Sequence, residues 1–244
     1  MEGLKISRET RQSSKIKQID ESLLTRDRNQ NIVKIIIPEL DKADTHVHDA
    51  IHDVYNAQII DNDIYIKYDG EDKSTIYRLL ANSAAAHNPN WHVNSNEICV
   101  AGNNDYRPDV SVWFQRPTFL KRQNPIRNSH PLPNVWIEIF YNRDLDREKA
   151  LHRITLAQRH NPRIEFVGMA LPELVRPFPQ NPNPWIDSVP VTRENDRPNQ
   201  APYLIHWNAN TNPVYFKINW NEHLVLRCGW ILELNNVLNT ISIP

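Results

Sequence analysis

The chain has 244 residues, a formal net charge of -1 at pH 7 and 40% hydrophobic residues, with 5 glycines, 18 prolines and 2 cysteines. This supports one buried core with polar appendages and excludes a strongly basic nucleic-acid coat, although a local basic surface stays open. Scarce glycine argues against nucleotide-binding sheets, no apolar run nears the ~20 residues of a membrane span, and Cys99 with Cys228 forms neither a disulfide framework nor a zinc cluster. With no apolar signal core at the N-terminus, the expected setting is reducing and intracellular, cytoplasm or nucleus.

Residues 1–44 read as a polar, mixed-charge arm to about residue 30, followed by the entry strand "NIVKIIIPEL", which Pro38 ends. "DTHVHDAIHDVYN" has Val47, Ile51, Val54 and Tyr55 at helical spacing, which makes its histidines surface helix residues. "AQIIDNDIYIKYDG" reads as a hairpin turning at Asp61 to Asp63. "EDKSTIYRLLANSAAAHNP" is a helix with Ile76, Leu79, Leu80 and Ala84 on one face, stopped at Asn88-Pro89.

"WHVNSNEICVAG" reads as one further strand, leading to two apolar runs that each hold an acid: Asp109 in "RPDVSVWF" and Glu138 in "NVWIEIF". A helix follows, "DLDREKALHRITLAQRHNP", with Leu145, Leu151, Ile154 and Leu156 as its main apolar positions, then the strand "RIEFVGMALP". Residues 172–202 are a proline- and asparagine-rich excursion, and 203–244 supply two or three more strands. The domain expected from this order is α/β over 45–244, with a core at 45–171, a central mixed sheet flanked by helices and a C-terminal β addition.

A carboxylate in a buried strand is costly unless a cation or donors meet it. Two acids on neighbouring strands suit a divalent metal such as Mg²⁺ or Mn²⁺, which is held by one or two carboxylates together with waters and phosphate oxygens. Without metal the two acids should repel, so neutral replacements are expected to stabilise the apo protein. The structural alternative is that Asp109, after Arg107-Pro108, caps a backbone group and that Glu138 pairs with Arg143 or Arg153.

"RPDVSVWF" followed by "NVWIEIF" resembles the PD-(D/E)XK signature of the restriction-endonuclease-like superfamily, and in particular its Uma-type endonuclease domains. "IIDNDIYI" stands where their first hairpin lies, "TIYRLLANSAAAHN" where their first core helix lies and "DLDREKALHR" where the helix after the acid strand lies. The resemblance spans roughly residues 45–171 and implies a metal-dependent DNA endonuclease with Asp109 and Glu138 as metal ligands and catalytic groups. The lysine that often stands two positions after the acid is Phe140 here, and Tyr141 replaces a small hydroxyl residue. Lys149 on the following helix is the expected source of the missing charge.

No acid occurs between Asp109 and Glu138, whereas Arg116, Lys121, Arg122, Arg127 and His130 do. A basic loop of this kind either holds DNA phosphates over the metal or is a solvated loop that balances acids elsewhere, and a homodimer stays open. One alternative is a nuclease-like domain without catalysis that binds nucleic acid or protein. Another is a zinc hydrolase using His46 and His48 of "THVHD", although such pairs normally leave the end of a strand. The seven tryptophans read as core and sheet-face residues rather than as base-stacking platforms.

Overall fold

The computed structural model describes residues 15–24, 32–36, 45–67, 70–141, 144–171, 203–207, 212–218 and 220–241. The excursion read over 172–202 lies outside them. The chain divides into two compact units, one from the described residues of 1–69, 98–107 and 120–130, the other from 70–97, 108–119 and 131–244.

The first unit opens on helix α1 over residues 15–24, within the segment whose composition reads as an arm. Ile16, Ile19 and Leu23 fall at i, i+3 and i+7, and Ile19 is fully buried in a cluster with Ile35, Ile51, Ile59 and Ile64. Ile19 and Leu23 pack into that cluster, so a mostly polar stretch has an apolar stripe to bury. Strand β1 (Ile32–Ile36), helix α2 (Thr45–Tyr55), β2 (Gln58–Ile60) and β3 (Asp63–Lys67) follow. The β2–β3 hairpin turns on Asp61 and Asn62 at φ 51° and 68°, a left-handed pair that these residue types tolerate.

The second unit holds helix α3 (Glu71–His87) and strand β4 (His92–Asn94). "WHVNSNEICVAG" is therefore two strands, because β5 (Cys99–Ala101) follows a turn with Asn96 at φ 56° and joins the other sheet. With β6 (Asn104–Tyr106) the first unit's sheet is complete in the order β1-β3-β2-β6-β5. Strand β7 (Val110–Trp113) belongs to the second unit. The segment read as a basic loop contains a short helix, α4 (Phe119–Gln123).

Strand β8 (Val135–Tyr141), helix α5 (Asp144–His160) and strand β9 (Glu165–Leu171) form a parallel crossover unit. Strands β10 (Tyr203–Trp207) and β11 (Val214–Lys217) extend the sheet to β11-β10-β9-β8-β7-β4, with every pair except β8–β9 antiparallel. A hairpin of β12 (His223–Val225) and β13 (Ile231–Glu233) and a helix, α6 (Leu234–Ile241), complete the unit. The central mixed sheet and the C-terminal β addition are as expected, and α6 is additional.

The second unit's core gathers Ile76, Leu80 and Ala84 of α3, Val110 and Val112 of β7, Ile137 and Ile139 of β8, and Val237 of α6. Helix α5 buries Ala150, Arg153, Ile154 and Ala157, a stripe at i, i+3, i+4 and i+7, while Leu151 and Leu156 are only half-buried. No helix among the described residues is long and apolar enough to cross a membrane.

Candidate active site

Asp109 stands immediately before β7 and is completely buried. The register Val110↔Ile137, carried back one step, sets it across from Glu138 on β8. Its Oδ2 accepts the backbone N–H of Ile139 at 2.6 Å, so the carboxylate takes up a donor where the β7 ladder ends. Its Oδ1 lies 3.4 Å from Nζ of Lys73, which is itself buried. Lys73 starts the apolar stripe of α3 that continues through Ile76, Leu80 and Ala84, so the face that packs α3 also aims its ammonium at the acid.

Glu138 is 1% exposed. Strand alternation separates it from Ile137 and Ile139, which pack with the α3 stripe, and groups it with Trp136 and Phe140. Oε1 accepts the indole N–H of Trp136 at 2.9 Å, and Oε2 accepts Nη2–H of buried Arg153 on α5 at 3.1 Å. Each acid is therefore met by a cation from a different helix. Both structural roles considered for them are realised: Asp109 caps a backbone N–H and Glu138 pairs with Arg153.

Asp109 and Glu138 supply hard oxygen donors of the type a divalent cation takes, at backbone positions set opposite each other, while their carboxylates turn to different helices, Asp109 to Lys73 on α3 and Glu138 to Arg153 on α5. The residue types fit such an ion. The local charge is already balanced by Lys73 and Arg153, so an ion would compete with those two side chains.

Lys149 is half-buried on α5, one turn before Arg153. Lys73 lies beside Asp109, a placement that the resemblance did not supply. The signal for it was available, since a lysine at i−3 from Ile76 continues the buried stripe. Arg116 is exposed and belongs to the same unit as the two acids, whereas half-buried Lys121 and Arg122 and exposed Arg127 belong to the other.

Two of the histidines of α2, His48 and His52, are not surface residues. His48 and His52 are 3% and 2% exposed, one helical turn apart, and both reach Oδ2 of Asp105 on β6, at 3.2 and 3.1 Å. His52 Nδ1 donates to the Ala57 carbonyl at 2.7 Å. Burial alone would raise the Asp105 carboxyl, but the hydrogen bonds and charge of the two imidazoles outweigh it and hold the group at about 2. Arg107 ties down the same helix end, donating to Ala57 O, Asn56 Oδ1 and His52 O at 3.0, 2.6 and 3.4 Å. α2 keeps the helical period expected of it, but His48 and His52 face inward because Asp105 meets them. His46 lies outside the residues whose side chains are described.

No family model and no curated protein matches the sequence. Among solved structures, the chain is similar to the 1.96 Å crystal structure of a protein from Anabaena variabilis ATCC 29413, assigned to DUF820 and proposed to be a nuclease. The TM-score is 0.50 at 13% identity, covering 75% of this chain and 89% of that one. The fold is thus a mixed α/β arrangement of the restriction-endonuclease-like kind.

Proposed function

We propose that the chain is a Mg²⁺- or Mn²⁺-dependent endonuclease that hydrolyses DNA phosphodiester bonds, with Asp109 and Glu138 as metal ligands. The observation that carries this reading is the register that sets Asp109 opposite Glu138, with Lys73 beside Asp109, on a sheet similar to that of the DUF820 neighbour. When bound, the metal supplies charge neutralisation at the phosphate and a water of lowered pKa. The Lys73 ammonium, buried beside Asp109, takes the electrostatic role that Phe140 does not fill, and Lys149 adds charge from α5. Arg153 and the Trp136 indole hold the Glu138 carboxylate in one orientation. Arg116, exposed in the same unit as the two acids, contributes phosphate contacts. The two free cysteines, Cys99 and Cys228, fit a reducing intracellular compartment.

A second reading is a nuclease fold that binds without cleaving, and the closed Asp109–Lys73 and Glu138–Arg153 pairs favour it. Calorimetric titration with Mn²⁺ separates the two. The endonuclease reading expects binding that Glu138→Gln and Asp109→Asn each weaken by at least tenfold, and absence of binding to the wild type selects the second reading.

A further inference from the structure

Among the described tryptophans of the second unit, Trp113, Trp136, Trp220 and Trp230 are all under 5% exposed. Trp91 differs. It sits half-buried where α3 turns into β4, with its ring centroid 5.1 Å from that of His87 and 5.0 Å from that of Phe114. His87 is exposed and Phe114 is 39% exposed, so the row reaches the surface at both ends.

The row is held by its backbone. The Trp91 N–H donates to Asn88 O at 3.1 Å, and the Phe114 N–H donates to Asn134 Oδ1 at 2.9 Å. One step beyond the register pair His92↔Trp113, Trp91 and Phe114 face each other across β4 and β7. Exposed Arg116 lies two positions after Phe114, in a stretch that has no acid between Asp109 and Glu138.

We infer that His87, Trp91 and Phe114 form a stacking platform for an unpaired nucleobase, with Arg116 engaging the phosphate of the same strand. The inference rests on the nuclease reading and narrows it to nucleic acid with single-stranded character. Aromatic faces bind bases of any sequence, and a neighbouring cation supplies the backbone attraction. The four residues of β7 lie between Phe114 and Asp109. At ~3.3 Å per residue, that places the platform about 17 Å from the carboxylates, the span of a few nucleotides of extended strand.

The test measures fluorescence anisotropy of a labelled oligothymidylate, a copy with abasic positions and a matched duplex, all in EDTA so that no cleavage intervenes. Phe114→Leu keeps an apolar side chain at a part-exposed site, and an unchanged melting temperature confirms its fold. Wild type is expected to prefer the single strand, and Phe114→Leu to weaken that binding about ten- to a hundredfold with little effect on the abasic copy. Arg116→Gln should flatten the slope of log affinity against log salt by about 0.7. Equal affinity of wild type and Phe114→Leu for the oligothymidylate, or no single-strand binding by wild type, overturns the platform. Metal-dependent cleavage that Phe114→Leu leaves intact, together with equal binding, removes the platform alone. Base-dependent binding by a wild type that never cleaves removes the endonuclease reading alone.

Discussion

Arg153 on α5 meets Glu138 on β8 at 3.1 Å, with both side chains at or below 3% exposure. Two acids read as mutually repelling turn out to be separately compensated, which reverses the expected sign of their neutralisation. Removing one partner of a buried pair leaves the other charge stranded, at a cost of about 3 to 5 kcal/mol. Glu138→Gln, which keeps shape but strands Arg153, should therefore lower stability in urea unfolding. A metal-free Glu138→Gln variant as stable as wild type would show that the pair is screened.

Lys73 makes the parallel case for Asp109. Lys73→Met should destabilise by a few kcal/mol, because a fully buried carboxylate loses its countercharge. Adding Asp109→Asn should recover part of that loss, with a coupling of about 1 to 3 kcal/mol in a double-mutant cycle. Strict additivity of the two changes would mean that the 3.4 Å contact is not an interaction.

The Asp105 carboxyl is held at about 2 against an ordinary value of 3.8. Its folded value is depressed, so its contribution is complete above about pH 4 and is lost as pH falls through about 2. At 1.36 kcal/mol per unit, the contribution is about 2 kcal/mol. Asp105→Asn should remove this part of the acid limb. Urea midpoints of wild type and variant at pH 7, 4 and 2.5 check it, and parallel curves would contradict it.

Gly168 pairs with Glu138 across β8 and β9. A Cβ there would lie 3.1 Å from Phe140, 3.2 Å from Phe166 and 3.3 Å from Ile205, all of them side chains in the packed sheet. Gly168→Ala should destabilise by about 1 to 3 kcal/mol through overpacking. A rise in melting temperature would indicate that the rings yield easily.

Much of the fold was legible where one period dominated. The stripe Ile76, Leu80, Ala84, the alternation in "VWIEIFY" and the Asp61-Asn62 turn each read off local chemistry. Less legible was whatever a distant partner decides. His48 and His52 look like solvent-facing helix positions until Asp105, far along the chain, turns them inward. Helix α6 is masked in the sequence by Asn235, Asn236 and Asn239, which lower its propensity, although Leu234, Val237 and Leu238 keep the helical period. The acids were legible as a pair, but their cations were not ranked, since Arg153 and Lys73 come from two helices whose packing alone brings them in.

Cleavage of supercoiled plasmid DNA in Mg²⁺ or Mn²⁺ tests the endonuclease assignment most directly, comparing wild type with Asp109→Asn and Glu138→Gln, each first confirmed as folded. A metal that activates water and neutralises phosphate is worth several kcal/mol in the transition state. Wild type should nick or linearise the plasmid, and each variant should be slower by orders of magnitude. Equal cleavage by all three proteins, or none by wild type with either metal, would contradict the account.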